Sequence, residues 1–394
     1  QNRLPDAARN YLAVTRLQPE GFEAFCQLGV ILNCLNQLNE AVPCLQTALR
    51  LNPRYPKLHL FLGGIFKKLG RFDEAAACCR HEIEMDPANA DAHYNLGLVL
   101  QNLECPDEAM AAYRKANELR PGYVDALVNL GFVLRQGLQT GAALRCFEEA
   151  VQREPQNPKA HWELFSTLLV LGDFERGWPE YEWRWRQKDF ATPPPDYPQP
   201  RWDGSELGGR RIFLYPEQGY GDTIQFARYA TLVARRGGEV ILGCAPALRT
   251  VMETIPGVRE VATNRAALPP FDIYAPLMSL PAIFKTTLAT VPAEIPYLVP
   301  PRNDFKVGNA SPGAFKVGIV WAGEPSHKND HKRSLPCACF LPLLEVPGIH
   351  CHSLQVGERV KELSHPQFAG RITDLGSRFR DFGDTARAIA QMDL

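Results

Sequence analysis

The chain has 394 residues, 45% hydrophobic and 22% charged, enough apolar content to bury a sizeable core in two or three domains. Lysine and arginine number 43 against 44 acidic residues, so no global field favours nucleic acid or an acidic membrane surface. No apolar run is long enough to span a bilayer and no signal peptide opens the sequence, which sets the expectation of a cytoplasmic chain.

From the first residues onward the sequence repeats. Pro19, Pro53, Pro87, Pro121 and Pro155 stand 34 residues apart, as do Ala7, Ala41, Ala75, Ala109 and Ala143, and the pairs Leu28-Gly29, Leu62-Gly63, Leu96-Gly97 and Leu130-Gly131. This is the period of a tetratricopeptide repeat, and the residues resemble its consensus: a solenoid of paired helices that holds another chain. Small residues let the two helices of a unit approach closely, and Leu45, Tyr113 and Phe147 are expected to fill the seam between units. Each proline stops a second helix, because it lacks the N–H and disfavours helix in the residue before it. Gln1 falls inside a repeat, so an original N-terminal extension is expected to have been removed; the uncapped half-repeat offers an apolar face suited to a homodimer contact.

Asn95 and Asn129 precede two of the Leu-Gly pairs, with Gln27 equivalent to them and Phe61 and Glu163 breaking the series. An amide offers donor and acceptor to an extended backbone of any sequence, so these residues are acceptor-groove candidates for a bound polypeptide. The plain alternative is a set of solvated polar groups on a helix face.

After Pro155 the pattern decays: Phe165 stands where glycine is expected and Gly177 where alanine is. Trp178, Tyr181, Trp183 and Trp185 follow, read as the packed joint after the last helix or, alternatively, as a sugar-stacking platform. A proline-rich stretch, Pro193 to Pro195 with Pro198 and Pro200, marks a domain boundary. The eleven cysteines are scattered, and Cys337 and Cys339 form a single close pair with the wrong gap for a metal site, so they read as reduced core filler with no metal expected.

From Arg211 the periodicity becomes α/β. Strands are expected at Arg211 to Tyr215, Glu239 to Gly243 and Phe271 to Ala275, with a helix from Thr223 to about Arg235, the alternation of a parallel sheet. Gln218, Gly219, Tyr220, Gly221 and Asp222 lie between the first strand and its helix, at the usual ligand crevice of such a sheet. Asp222 is then either the helix N-cap or a carboxylate facing the crevice. A second proline-rich linker spans 292–312. Beyond it come a strand at Lys316 to Trp321, a polar loop from Ala322 to Ser334, and a strand at Ile349 to Leu354. Lys328, Lys332 and Arg333 in that loop are suited to neutralising a diphosphate leaving group, or form a solvated charged loop.

The segments from Glu217 to Tyr229, Val320 to Gly323 and His327 to Asp330 resemble the bacterial tetratricopeptide proteins that carry a glycosyltransferase-like C-terminal region. That region is similar to the lipopolysaccharide heptosyltransferases, and the solenoid plus transferase arrangement is similar to the O-linked N-acetylglucosamine transferases, where an asparagine ladder grips a polypeptide. The resemblance implies a helical TPR solenoid at 1–187, a linker at 188–209, and the two Rossmann-like lobes of a GT-B fold. The first lobe spans 210–291 on the acceptor side, and a partial second lobe spans 313–394 on the nucleotide-sugar side. It further implies an inverting, metal-independent transfer from a nucleotide-sugar to a polypeptide, with no cofactor. Asp222 would be the general base, His327 a reserve base or phosphate donor, and Lys328, Lys332 and Arg333 the phosphate-binding cations. Gly219, Gly221 and Gln218 would line the substrate. The sequence stops at Leu394 as a strand begins, where relatives continue, so an incomplete donor site and little turnover are expected. The alternative is a non-catalytic scaffold whose transferase-like module has degenerated.

Overall fold

A computed structural model describes residues 3–55, 57–187, 190, 196–302, 304–308, 313–326 and 330–394. The chain divides into two compact units, Gln1–Phe190 and Ala191–Leu394.

The first unit is a run of antiparallel helices: α1 (Leu4–Leu17), α2 (Phe22–Cys34), α3 (Leu38–Leu51), α4 (Leu58–Lys68), α5 (Phe72–Met85), α6 (Ala90–Asn102), α7 (Pro106–Leu119), α8 (Val124–Gln136), α9 (Thr140–Arg153), α10 (Pro158–Val170) and α11 (Phe174–Tyr181). The second helix of each unit ends two residues before its repeat proline. The intervening residues Gln18, Asn52, Asp86, Arg120 and Glu154 leave the helical region, with φ from −126° to −138° and ψ from 74° to 87°, as the clash with a following proline demands. Within each pair the turn passes through a left-handed residue: Asn36, Gly70, Glu104, Leu138 and Gly172.

The repeat glycines serve close approach. A Cβ on Gly29 would lie 2.6 Å from Leu45, on Gly97 2.6 Å from Tyr113, and on Gly131 2.5 Å from Phe147. The large residues expected in the seam between units therefore press first on the glycine of their own unit. Where Phe165 replaces glycine, its ring lies 4.6 Å from Tyr181, and Gly177 admits Leu169 where a Cβ would sit 2.6 Å away. The repeat thus continues through α10 and α11 with large and small exchanged. The aromatics beyond it pack on one another: Arg184, fully buried, lies between the rings of Tyr181 and Trp185, and His161 stacks on Trp183 at 3.7 Å. These ring faces are spent inside the cap of the solenoid, which leaves no open sugar platform among them.

The second unit holds two parallel sheets. β1 (Arg211–Tyr215), β2 (Glu239–Gly243), β3 (Val258–Ala262) and β4 (Ile273–Pro276) follow the order β3-β2-β1-β4, and β5 (Phe315–Ile319), β6 (Ile349–Ser353) and β7 (Ile372–Asp374) the order β5-β6-β7. Among the described residues seven α-helices accompany them: α12 (Tyr220–Ala227), α13 (Tyr229–Arg235), α14 (Arg249–Met252), α15 (Leu280–Ile283), α16 (Asp330–Arg333), α17 (Leu341–Leu344) and α18 (Phe382–Ile389). The single helix expected to start at Thr223 is two, broken at Arg228, whose guanidinium bonds the Gln225 and Pro292 carbonyls.

Parts of both proline-rich segments are packed cover rather than spacer. Residues 200–202 bond the edge of β4 through Pro200 and Trp202, and Trp202 is buried. Phe305 and Val307 enter an apolar cluster with Leu375 and Ala388. At the far end, the Asp393 and Leu394 amides bond the Lys316 carbonyl, along the edge of β5 that β6 leaves free.

All eleven cysteines are free thiols. Burial pushes Cys78, Cys244 and Cys337 up to about 11 and Cys79 up to about 12, so these thiols stay protonated and inert as nucleophiles.

Candidate functional site

In the solenoid, Gln27 is exposed on α2, while Asn95 and Asn129 lie on α6 and α8. Asn95 donates its amide to the Asp91 carbonyl of its own helix at 2.8 Å. Asn129, only 8% exposed, donates to the Tyr94 hydroxyl at 3.2 Å and accepts from Lys159 at 3.1 Å. The ladder expected to wait open for a polypeptide is thus engaged with its own chain at Asn129, because a buried amide must find partners inside the protein. What it presents outward is the exposed Lys159 ammonium, which Asn129 orients from below. Beside it, Arg120 grips Asp91 through two bonds of 2.9 Å and Tyr123 donates to the same carboxylate. Arg120 in particular holds Asp91 below the usual carboxylate range.

In the second unit, Gln218, Gly219, Gly221 and Asp222 come together at the carboxyl end of β1. There the strand order reverses between β2 and β4, the place where parallel sheets leave a crevice. Gly219 occupies the N-cap position of α12 with no side chain to cap it, and Asp222 falls in the first turn. Of the two readings open for Asp222, the N-cap is therefore ruled out. Its half-buried carboxylate makes no hydrogen bond or ion pair among the described residues. Glu217, buried, accepts from the Met278 amide at 3.0 Å and so ties the β1 loop to the turn after β4.

Lys332 and Arg333 are exposed on α16, after β5, with no ion-pair partner among the described residues. His327 and Lys328 lie outside the described residues. Gln355 shapes the start of this loop. Buried at the end of β6, it accepts from the Trp321 and Ala322 amides at 3.2 and 3.0 Å and donates to the Ala322 and Val356 carbonyls at 3.0 and 2.9 Å. Gln355 escaped the sequence reading, and Glu217 entered it only as the first residue of the segment 217–229, without a role of its own; the signal for that role was a carboxylate inside an otherwise uncharged strand-to-glycine turn. No hydrogen bond or ion pair among the described residues joins the β1 loop to α16. Among the described residues there is no cluster of three or more metal-ligating side chains.

Helix pairs on this period define a tetratricopeptide-repeat module. Residues 22–55 and 90–123 match the tetratricopeptide repeat family, and residues 63–103 match the TPR repeat family. Such repeats are protein-interaction scaffolds.

Among individual proteins, the chain is similar to Protein FlbA of Caulobacter vibrioides, at 26% identity over 244 residues covering 55% of this chain and 41% of FlbA. The chain thus spans less than half the length of that relative. Among solved structures it is similar to MamA from Desulfovibrio magneticus RS-1 (24% identity, TM-score 0.37, 39% of this chain and 86% of that one). It is also similar to YrrB, described as a TPR protein with an unusual peptide-binding site (20% identity, TM-score 0.38, 45% and 91%). No helix among the described residues is long and apolar enough to cross a membrane.

Proposed function

We propose that the chain is a glycosyltransferase of the GT-B type, in which the solenoid holds a polypeptide acceptor and the two-sheet unit transfers a sugar to it from a nucleotide-sugar. The observation that carries this reading is the position of Asp222. It is a carboxylate without protein partners among the described residues, in the first turn of α12, at the point where the order of a parallel sheet reverses. A general base needs that freedom, since its task is to take the proton of an acceptor hydroxyl as the anomeric carbon is attacked. Lys332 and Arg333 supply charge for the departing diphosphate, with His327 and Lys328 in the same loop. No metal or cofactor has a part in this scheme.

The test is the release of free nucleoside diphosphate from a panel of sugar nucleotides by the full-length protein. Wild type is expected to release it with one donor, and Asp222→Asn to lose about 10²- to 10⁴-fold in rate with binding of the donor retained. A chain that captures polypeptides but releases no nucleotide from any donor supports the scaffold reading instead.

A further inference from the structure

The carboxyl ends of β1, β2 and β7 converge on one small set of contacts within the second unit. α18, which follows β7, begins with Asp381 as N-cap, accepting from the Gly383 and Asp384 amides at 2.8 and 3.2 Å. The other oxygen of Asp381 accepts from Thr250 Oγ1 on α14, after β2, at 3.0 Å. Asp384 is buried and gripped by Arg380 at 2.9 and 3.1 Å, and Gly383 is pressed so closely that a Cβ would lie 2.6 Å from Thr250 Oγ1. Phe382 is held between these fixed neighbours. Its ring meets that of Tyr220, the first residue of α12, edge to face at 5.3 Å.

Tyr220 is 49% exposed, and its hydroxyl makes no hydrogen bond among the described residues. A large aromatic side chain that neither fills a core nor uses its polar tip, two residues from Asp222, keeps a ring face for something else. Its partner ring is carried on the capped first turn of α18, so the pair presents an aromatic corner two residues from Asp222.

Resting on the sugar-transfer reading, we propose that Tyr220 and Phe382 form an aromatic clamp for the sugar ring of the donor. The reacting anomeric carbon has to lie beside Asp222. The pyranose C–H groups carry partial positive charge that the electron-rich ring face attracts. Lys332 and Arg333 serve the diphosphate, so the clamp discriminates on the sugar and not on the nucleotide.

The measurement is calorimetric titration of the chain with UDP, GDP and ADP and with UDP-glucose, UDP-N-acetylglucosamine and GDP-mannose. For the donor that binds, Tyr220→Ala is expected to weaken the sugar nucleotide about tenfold while leaving its nucleoside diphosphate within about twofold. Tyr220→Phe is expected to match wild type, and Phe382→Leu, which keeps an apolar side chain at the helix start, to show a smaller loss of the same kind. Equal weakening of both ligands by Tyr220→Ala, or of neither, overturns the clamp while leaving the transferase reading standing. Binding of no nucleotide by the full-length wild-type protein overturns both.

Discussion

Leu138 sits at φ 60° in the turn between α8 and α9, with its side chain 89% exposed. Two of the equivalent turns use Gly70 and Gly172, which take that conformation without cost. A left-handed leucine costs about 1–2 kcal/mol, and glycine returns part of the gain through the freer unfolded chain. Leu138→Gly should therefore stabilise the solenoid by about 0.5–1 kcal/mol, read from urea unfolding. His352 carries the opposite kind of strain. It is buried on β6 with neither ring nitrogen hydrogen-bonded among the described residues, and burial, then the nearby His350 and Lys316, pushes it down to about 4. The unfolded chain takes up the proton below the ordinary value near 6.5 and the folded chain does not until about 4. Stability is then full above about pH 6.5 and falls as pH drops toward about 4. Between pH 7 and pH 5 this group should remove about 2 kcal/mol. In His352→Phe that share of the pH slope should disappear; an unchanged slope would show that other groups carry it.

At the scale of elements, one side chain holds the loop after β5. Gln355 bonds two amides and two carbonyls, so Gln355→Leu leaves buried backbone groups without partners and should cost about 3 kcal/mol in denaturant unfolding. The loop after β7 crosses the same spot: a Cβ on Gly376 would lie 1.8 Å from the Gln355 carbonyl oxygen, so no other residue fits there without moving backbone. None of this was legible in the sequence, because a single glutamine with no period and no motif looks like any polar residue. The solenoid was legible because its constraints recur: a proline to end each second helix and a glycine wherever a large side chain leans in. β1, β2, β4 and β5 announced themselves as apolar or β-branched runs, and β6 was expected although it carries two histidines. β3 hid behind Arg259 and Glu260, and β7 is three residues long. Composition also misled at the proline-rich segments, where Trp202, Phe305 and Val307 dock among residues that otherwise read as spacer.

For the whole molecule, the sequence located the β1 loop and the basic loop after β5, and the structure adds what surrounds them: Glu217 tying one sheet edge, Gln355 shaping the other loop, Tyr220 against Phe382. It also changes the solenoid's presumed grip. Asn129 is spent on Tyr94 and Lys159, so the face expected to offer an open amide offers an oriented ammonium. Lys159→Ala should then weaken polypeptide capture in a salt-dependent way, leaving the release of nucleoside diphosphate to water unchanged. The central claim is that one chain both holds a polypeptide and glycosylates it. Its most direct test is mass spectrometry of polypeptides captured by the chain, after incubation with each sugar nucleotide in turn. The expected result is a gain of one or more sugar residues with a single donor, lost in Asp222→Asn while capture persists. Polypeptides that are captured and remain unmodified with every donor would contradict the account.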